Sequence, residues 1–219
     1  MRHFAIYLLF LMGLAAPAWA NQAEKSEVSD ILILRTGEEL NAPHVFTYHV
    51  VEWEHVRGRW ILPDMGYVDN GYGRDQTWFV AGGAKALVTQ HLDWTQELFV
   101  TQEAGPDSHN KRSMRLWPIV NVRLPNRLSS QMVPYPTVPL DAAQRWSIDI
   151  DRAKLEWTAN TRWVAGVGYS GGLNKNRDWA SRPFLTTTRR TPAGSFEFWL
   201  ERMPGGAQLQ VRYVLVKNE

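Results

Sequence analysis

The sequence predicts an all-β fold, an antiparallel meander closed into a β-barrel of about twelve strands, and three observations predict it. From His44 onward the chain breaks into segments of roughly ten residues in which apolar and polar side chains alternate, the period of strands whose two faces meet different surroundings. Gly, Pro, Asn and Asp divide these segments, and almost no stretch carries a helical period. The dividing turns alternate short and long along the chain, which sets short turns on one rim and longer links on the other.

The N-terminus reads differently. Arg2 precedes an apolar run from Ala5 to Ala16 that closes on Ala18-Trp19-Ala20, the pattern of an export signal (residues 1–20) cut before Asn21. That run is too short to span a bilayer as a helix, and Asn21 offers no thiol for lipid attachment. Residues 21–30, rich in Glu, Lys and Ser, are expected to form a flexible tail, and residues 31–219 a single barrel domain. The chain has no cysteine, which suits an exported wall held by an uninterrupted hydrogen-bond ladder.

Counting from Ile31 gives about twelve strands; without the short segments Ile31–Leu34 and that around Ile61 the count is ten. From His91 to Thr101, Leu92, Trp94, Leu98 and Val100 share one face, with His91, Asp93, Thr95 and Glu97 on the other. From Arg115 to Arg123, Leu116, Val120 and Val122 oppose Arg115, Asn121 and Arg123, while Trp117 and Ile119 blur the polar side. Trp146, Ile148 and Ile150 are in phase, but the apolar set then slips to Ala153, Leu155 and Trp157, as a β-bulge near Asp151 would produce. Phe184 to Arg190 counts as a strand of its own. In the final hairpin Phe196, Phe198 and Leu200 oppose Glu197 and Glu201, and Leu209, Val211, Tyr213 and Leu215 oppose Gln210 and Arg212.

Short turns are expected near Arg57-Gly58, Thr89-Gln90, Pro125-Asn126, Ala159-Asn160 and Pro192-Ala193. Longer links fall around Gly37 to Pro43, Gly66 to Asp75, Gly105 to Arg112, Pro139 to Gln144 and Gly171 to Arg182; only Pro204 to Gly206 breaks the alternation by being tight. With the export signal, the alternating strands and the aromatic C-terminal strand Leu209 to Val216, the mature region resembles bacterial outer-membrane β-barrel proteins over nearly its whole length, without singling out a named family. Such barrels usually end on an aromatic residue, whereas this chain ends Val216-Lys217-Asn218-Glu219.

The resemblance implies an integral barrel in the outer membrane of a Gram-negative envelope, surrounded by outer-membrane lipid and inserted by the barrel-assembly machinery. It would act as a structural or small-solute channel protein without catalysis, for a solute the sequence does not name. In that setting Asp93, Glu97, Arg115, Arg123, Arg152, Lys154, Glu156, Glu197, Glu201 and Arg212 would face the lumen. Both signs occur on adjacent strands, so mutual pairing is favoured over a one-sign selectivity ring. Trp60, Trp78, Trp146, Trp163 and Trp179 lie near strand ends, where indoles favour the lipid–water boundary.

Two other readings stay open. A soluble periplasmic barrel or sandwich with an apolar ligand would turn the same alternation inside out. An outer-membrane lipid hydrolase would need a nucleophile, and Gly168-Tyr169-Ser170-Gly171-Gly172 fits the Gly-x-Ser-x-Gly pattern, so Ser170 is the weak catalytic candidate. Its context is strand and polar loop rather than strand and helix, and His49, His55 and His91 have no spacing to Ser170 that sequence can test. Glycines that make room for bulky neighbours account for the same five residues.

Metal binding is not expected: His49 and His55 fall on the face opposite His44, Glu52 and Glu54. No cofactor is expected either, because Ala81-Gly82-Gly83-Ala84 lacks the helix and lysine of a phosphate loop. The chain carries 24 basic and 22 acidic residues, so no basic field argues for nucleic acid.

Overall fold

In a computed structural model, residues 28–40, 47–70, 75–106, 110–141, 145–173, 179–203 and 206–218 are described. The export signal, most of the expected tail and His44 lie outside them.

Alternation is realised as twelve strands in a closed antiparallel barrel in which each strand pairs with its sequence neighbours and β1 with β12. They are β1 (Val28–Leu40), β2 (Thr47–Arg57), β3 (Trp60–Asn70), β4 (Asp75–Val88), β5 (Leu92–Ala104) and β6 (Arg112–Arg123). The second half comprises β7 (Leu128–Pro139), β8 (Ser147–Thr158), β9 (Trp163–Leu173), β10 (Trp179–Thr191), β11 (Gly194–Met203) and β12 (Gly206–Asn218). All five expected short turns close the rim that also carries the two ends of the barrel wall. Gly58 turns with φ 58°, and Asn126 and Arg127 both adopt the left-handed conformation that two-residue hairpins use.

Four boundaries differ from expectation. β1 begins at Val28, because Ser29 and Asp30 already pair with Val56 and His55 on one side and Asn218 and Lys217 on the other. β10 begins at Trp179 rather than Phe184, and β9 runs to Leu173, so most of the expected link Gly171–Arg182 is wall. β3 likewise continues to Asn70. Gly-rich and Pro-containing composition reads locally as loop, but a closed barrel supplies a hydrogen-bonding partner on each side, and that pairing overrides it. Where prolines face one another the ladder does open: β6 and β7 pair on either side of Pro118, Pro134 and Pro136 but not between them.

The slip near Asp151 is a bulge. Pro134 pairs with Ile150 and Val133 with Arg152, which leaves Asp151 as the extra residue. Its consequence is that Asp151 and Arg152 both reach the inside, where they bond each other.

The apolar face of every strand points outward. Leu62, Val80, Val88, Val100, Leu155, Val167, Leu185 and Leu200 are exposed on the wall, as are Trp53, Trp60, Trp78, Trp94, Trp146, Trp157, Trp163 and Trp179. Among the described residues only Trp117 and Trp199 of the tryptophans are not exposed. The inner side carries Glu97, Arg152, Lys154, Glu197, Glu201, Gln208 and Gln210, all buried. An apolar outside around a polar inside is the arrangement a lipid surround stabilises, and strands of 10 to 14 residues are long enough to cross one. The inside-out arrangement of a soluble barrel is not what the chain adopts.

Candidate functional site: a divided lumen

The interior falls into two unlike halves. In the half formed by β8 to β12 and β1, polar side chains reach across the barrel and fill it. Lys154 on β8 passes over β9 and β10 to place Nζ 2.5 Å from Oε1 of Glu197 on β11, and 2.9 Å from Glu156. It can do so because its neighbour in register on β9 is Gly168, with Thr186 of β10 donating to the same Glu197 oxygen at 3.3 Å. Arg35 on β1 spans the lumen to Asp151 at 3.0 Å and donates to Gln210 Oε1 at 2.6 Å, an oxygen that also accepts from Tyr48.

Aromatic rings complete the filling. Trp199 stacks on Phe184 with centroids 4.6 Å apart, and the Arg35 guanidinium lies 4.7 Å from the Trp199 centroid. A Cβ on Gly168 would meet the Phe184 ring at 2.6 Å, so the glycine is the space that ring occupies. A Cβ on Gly172 would collide with the Asp149 carboxylate. The two glycines flanking Ser170 are therefore packing positions. Ser170 Oγ donates to Glu201 and accepts from Arg182 Nε at 3.1 Å, in a buried setting where Gln210 also donates to Glu201 at 2.7 Å. Among the described residues no histidine joins it: His49 and His55 lie on the outward phase of β2, His55 bonded to Asp30 at 3.0 Å, and His91 sits in the β4–β5 turn. Ser170 is thus a hydrogen-bonding strut between β9, β10 and β11.

In the half formed by β2 to β7 the interior is hollow. A cavity of about 510 Å³ is lined by Glu52, Glu54, Phe79, Glu97, Phe99 and Trp117. It reaches Asn70, Asp75 and Glu103 toward the long-link rim and Arg152 and Arg212 at its border with the filled half. Beside the hollow the wall is tightly packed: Ala81 on β4 is buried against Phe79 and Phe99, and a Cβ on Gly83 would lie 2.6 Å from Glu97 Cγ. Rings line one side in a ladder, Phe79 to Phe99 at 5.2 Å, Phe99 to Trp117 at 5.5 Å and Trp117 to Tyr135 at 4.9 Å.

All ten charged residues expected inside lie on the inward phase of their strands. Asp93 and Arg123 sit where the wall meets the short-turn rim, paired with each other at 2.7 Å, and Arg115 pairs with Glu103 at 2.7 Å. Arg212 lies 3.8 Å from Glu197. Mutual pairing, rather than a one-sign ring, describes the filled half. Alternation alone marks three inward residues that the expected set omits: Arg35, between Leu34 and Thr36, and Glu52 and Glu54, interleaved with Val51 and Trp53. Asp64 is harder to find, because an irregularity between Ile61 and Asp64 shifts its phase. Asp151 comes inside only through the bulge. The five expected boundary tryptophans are all exposed, Trp60 and Trp163 at the short-turn rim and Trp78, Trp146 and Trp179 toward the other.

The fold is similar to that of an outer membrane channel from Pseudomonas putida F1, at 13% identity and a TM-score of 0.60, with 92% of this chain and 99% of that one covered. It is also similar to the KdgM porin, at 7% identity and a TM-score of 0.57, covering 85% of this chain and 97% of the porin. The outer membrane protein Omp33 of Acinetobacter baumannii aligns at 8% identity and a TM-score of 0.52, over 88% and 99% of the two chains. No protein-family model and no curated protein matches the chain. At such identities the shared property is the barrel of bacterial outer-membrane proteins, and solute and residue roles rest on the chain itself.

Proposed function

We propose that the protein is an integral outer-membrane channel for small hydrophilic solutes, entered from the long-link rim through the hollow half of its lumen. The observation that carries this reading is the 510 Å³ cavity lined by charged and aromatic side chains inside a closed wall whose outer face is apolar. Barrels of this class place long loops on the outer surface and short turns in the periplasm, so the cavity mouth would face outside. The cross-lumen bridges Arg35–Asp151 and Lys154–Glu197 narrow the passage to one side, which suits a solute of modest size. The similar folds of a Pseudomonas putida F1 outer membrane channel and of the KdgM porin support the same reading.

Purified barrel in a planar lipid bilayer tests it. Discrete conductance steps in potassium chloride are expected, from protein that stays in carbonate-washed outer membranes and migrates faster on gels when unheated. Folded, membrane-retained protein that gives no steps at any voltage would overturn the channel reading and leave a structural barrel.

A further inference from the structure

Countercharge is distributed unequally between the two halves of the lumen. Most inward cations have partners: Arg35 and Arg152 share Asp151, Lys154 holds Glu197 and Glu156, Arg115 holds Glu103 and Arg212 lies 3.8 Å from Glu197, while Lys111, at the long-link end of the hollow, has no ion pair among the described residues. Five inward carboxylates have no such partner: Asp149 on β8 and, on β2, β3 and β5, Glu52, Glu54, Asp64 and Glu97. Among the described residues no basic group comes within 4.0 Å of the last four; Arg152 and Arg212 act on Glu52 and Glu54, and Arg152 on Glu97, only from farther away. Asp64 is 0% exposed, neither of its carboxylate oxygens has a hydrogen-bond partner, and it faces Glu52, Glu54 and Glu97. Uncompensated carboxylates in a partly dehydrated hollow are costly, and a bound cation removes that cost.

The surroundings say which kind of cation. Phe79, Phe99 and Trp117 line the same cavity as Glu52, Glu54 and Glu97, and Trp117 stands opposite Glu97 in the β5–β6 register, so rings and carboxylates are interleaved around it. Ring faces attract cations and repel anions, and they cover an apolar body. An ammonium head has three donors that can reach separate carboxylates, whereas a bare metal ion needs donors that converge on a point. Among the described residues no group of three such side chains is placed to hold a metal. The volume lies within the range of small-molecule sites.

We infer that the hollow half of the lumen is a binding site for a small organic cation, an ammonium group on an apolar body, seated between the Glu52–Glu54–Glu97 carboxylates and the Phe79–Phe99–Trp117 ladder. This rests on the channel reading for the route by which the solute arrives, but not for the binding itself.

Calorimetric titration of the detergent-solubilised, folded barrel with phenethylammonium, 2-phenylethanol and phenylacetate, three probes with one apolar body and three charges, separates the possibilities. Phenethylammonium is expected to bind at least about tenfold tighter than 2-phenylethanol, and phenylacetate weakest. Glu97→Gln and Glu52→Gln should each weaken phenethylammonium about tenfold, and Phe99→Leu several-fold, while Glu38→Gln on the outer face of β1 leaves it unchanged. Unheated gel migration shows that each variant is folded, and the four independent substitutions keep the test open if one fails to assemble. Equal binding of all three probes, or displacement by magnesium chloride at concentrations where sodium chloride of the same ionic strength has no effect, would overturn the inference. Current block in the bilayer then distinguishes the two readings. Calorimetric binding without conductance removes the channel and keeps the site; conductance that none of the probes blocks, with no calorimetric preference for charge, keeps the channel and removes the site.

Discussion

The two halves of the lumen are built from the same alternating strands, yet one is solid and the other hollow. In the half containing β8 to β12, acidic and basic side chains meet across intervening strands because small residues such as Gly168 leave them a path. In the half containing β2 to β7, the carboxylates on β2, β3 and β5 face one another, and among the described residues no cation comes within 4.0 Å of them. On the proposed reading, the filled half serves stability and the hollow half serves the solute.

The sharpest way to break that assignment is to remove one member of a filled-half pair. Lys154→Ala strands Glu197, 5% exposed, without its closest cation, and is expected to destabilise the barrel by about 3–5 kcal/mol in urea unfolding. A loss under about 1 kcal/mol would mean that water enters the filled half freely. Overpacking comes next. Gly168→Val drives methyl groups toward Phe184 and the Ala153 carbonyl and should cost about 1–3 kcal/mol, read as a lower temperature for loss of fast gel migration.

Ser170→Ala removes one donor from Glu201 but leaves Gln210 and Arg182 nearby, so about 1–2 kcal/mol is expected, with no change in phospholipid hydrolysis. Loss of a measurable hydrolase activity in that variant would revive the enzyme reading. In the hollow half the sign is different: Glu97→Lys should reverse or reduce cation preference in the bilayer, measured as a shift in reversal potential, while unfolding changes by about 1 kcal/mol or less because no partner is stranded.

The smallest effect lies outside the wall. Asp141, just beyond β7, accepts from the Arg112 amide at 2.7 Å and pairs with its guanidinium, which holds this carboxyl below its ordinary value of 3.8. Its folded-state value is the depressed one, so the contact contributes fully above 3.8 and fades as pH falls below it. The protection factor of the Arg112 amide, its exchange relative to the intrinsic rate at each pH, should therefore fall on the acid side of that value, and Asp141→Asn should abolish that pH dependence of protection without changing protection within the strands.

Much of this was legible in the chain. Leu92, Trp94, Leu98 and Val100 against Asp93, Thr95 and Glu97 define the two faces of β5, and the slip after Ile150 announces the bulge at Asp151. The inward phase of Arg35, Glu52 and Glu54 was equally open to the alternation rule, since each follows an apolar residue of the opposite phase: Leu34, Val51 and Trp53. Phe99 belongs to the same phase as Glu97 and Thr101, which marked it as inward despite its apolar character. Asp64 was not legible in this way, because the irregularity beside Pro63 breaks the parity on which the rule depends.

The sequence by itself determined the wall: period-two alternation, turn residues and their spacing are local properties, and each strand needs only its immediate neighbours to express them. Tertiary structure decided the interior. That Lys154 meets Glu197 three strands away, that Arg35 meets Asp151 across the barrel, and that Glu52, Glu54 and Glu97 are left facing a hollow depends on closure, strand register and side-chain reach. Parity says only that a charge points inward. Which countercharge it meets is set by the curvature that brings distant strands together, and that curvature belongs to the closed barrel rather than to any one segment of the chain.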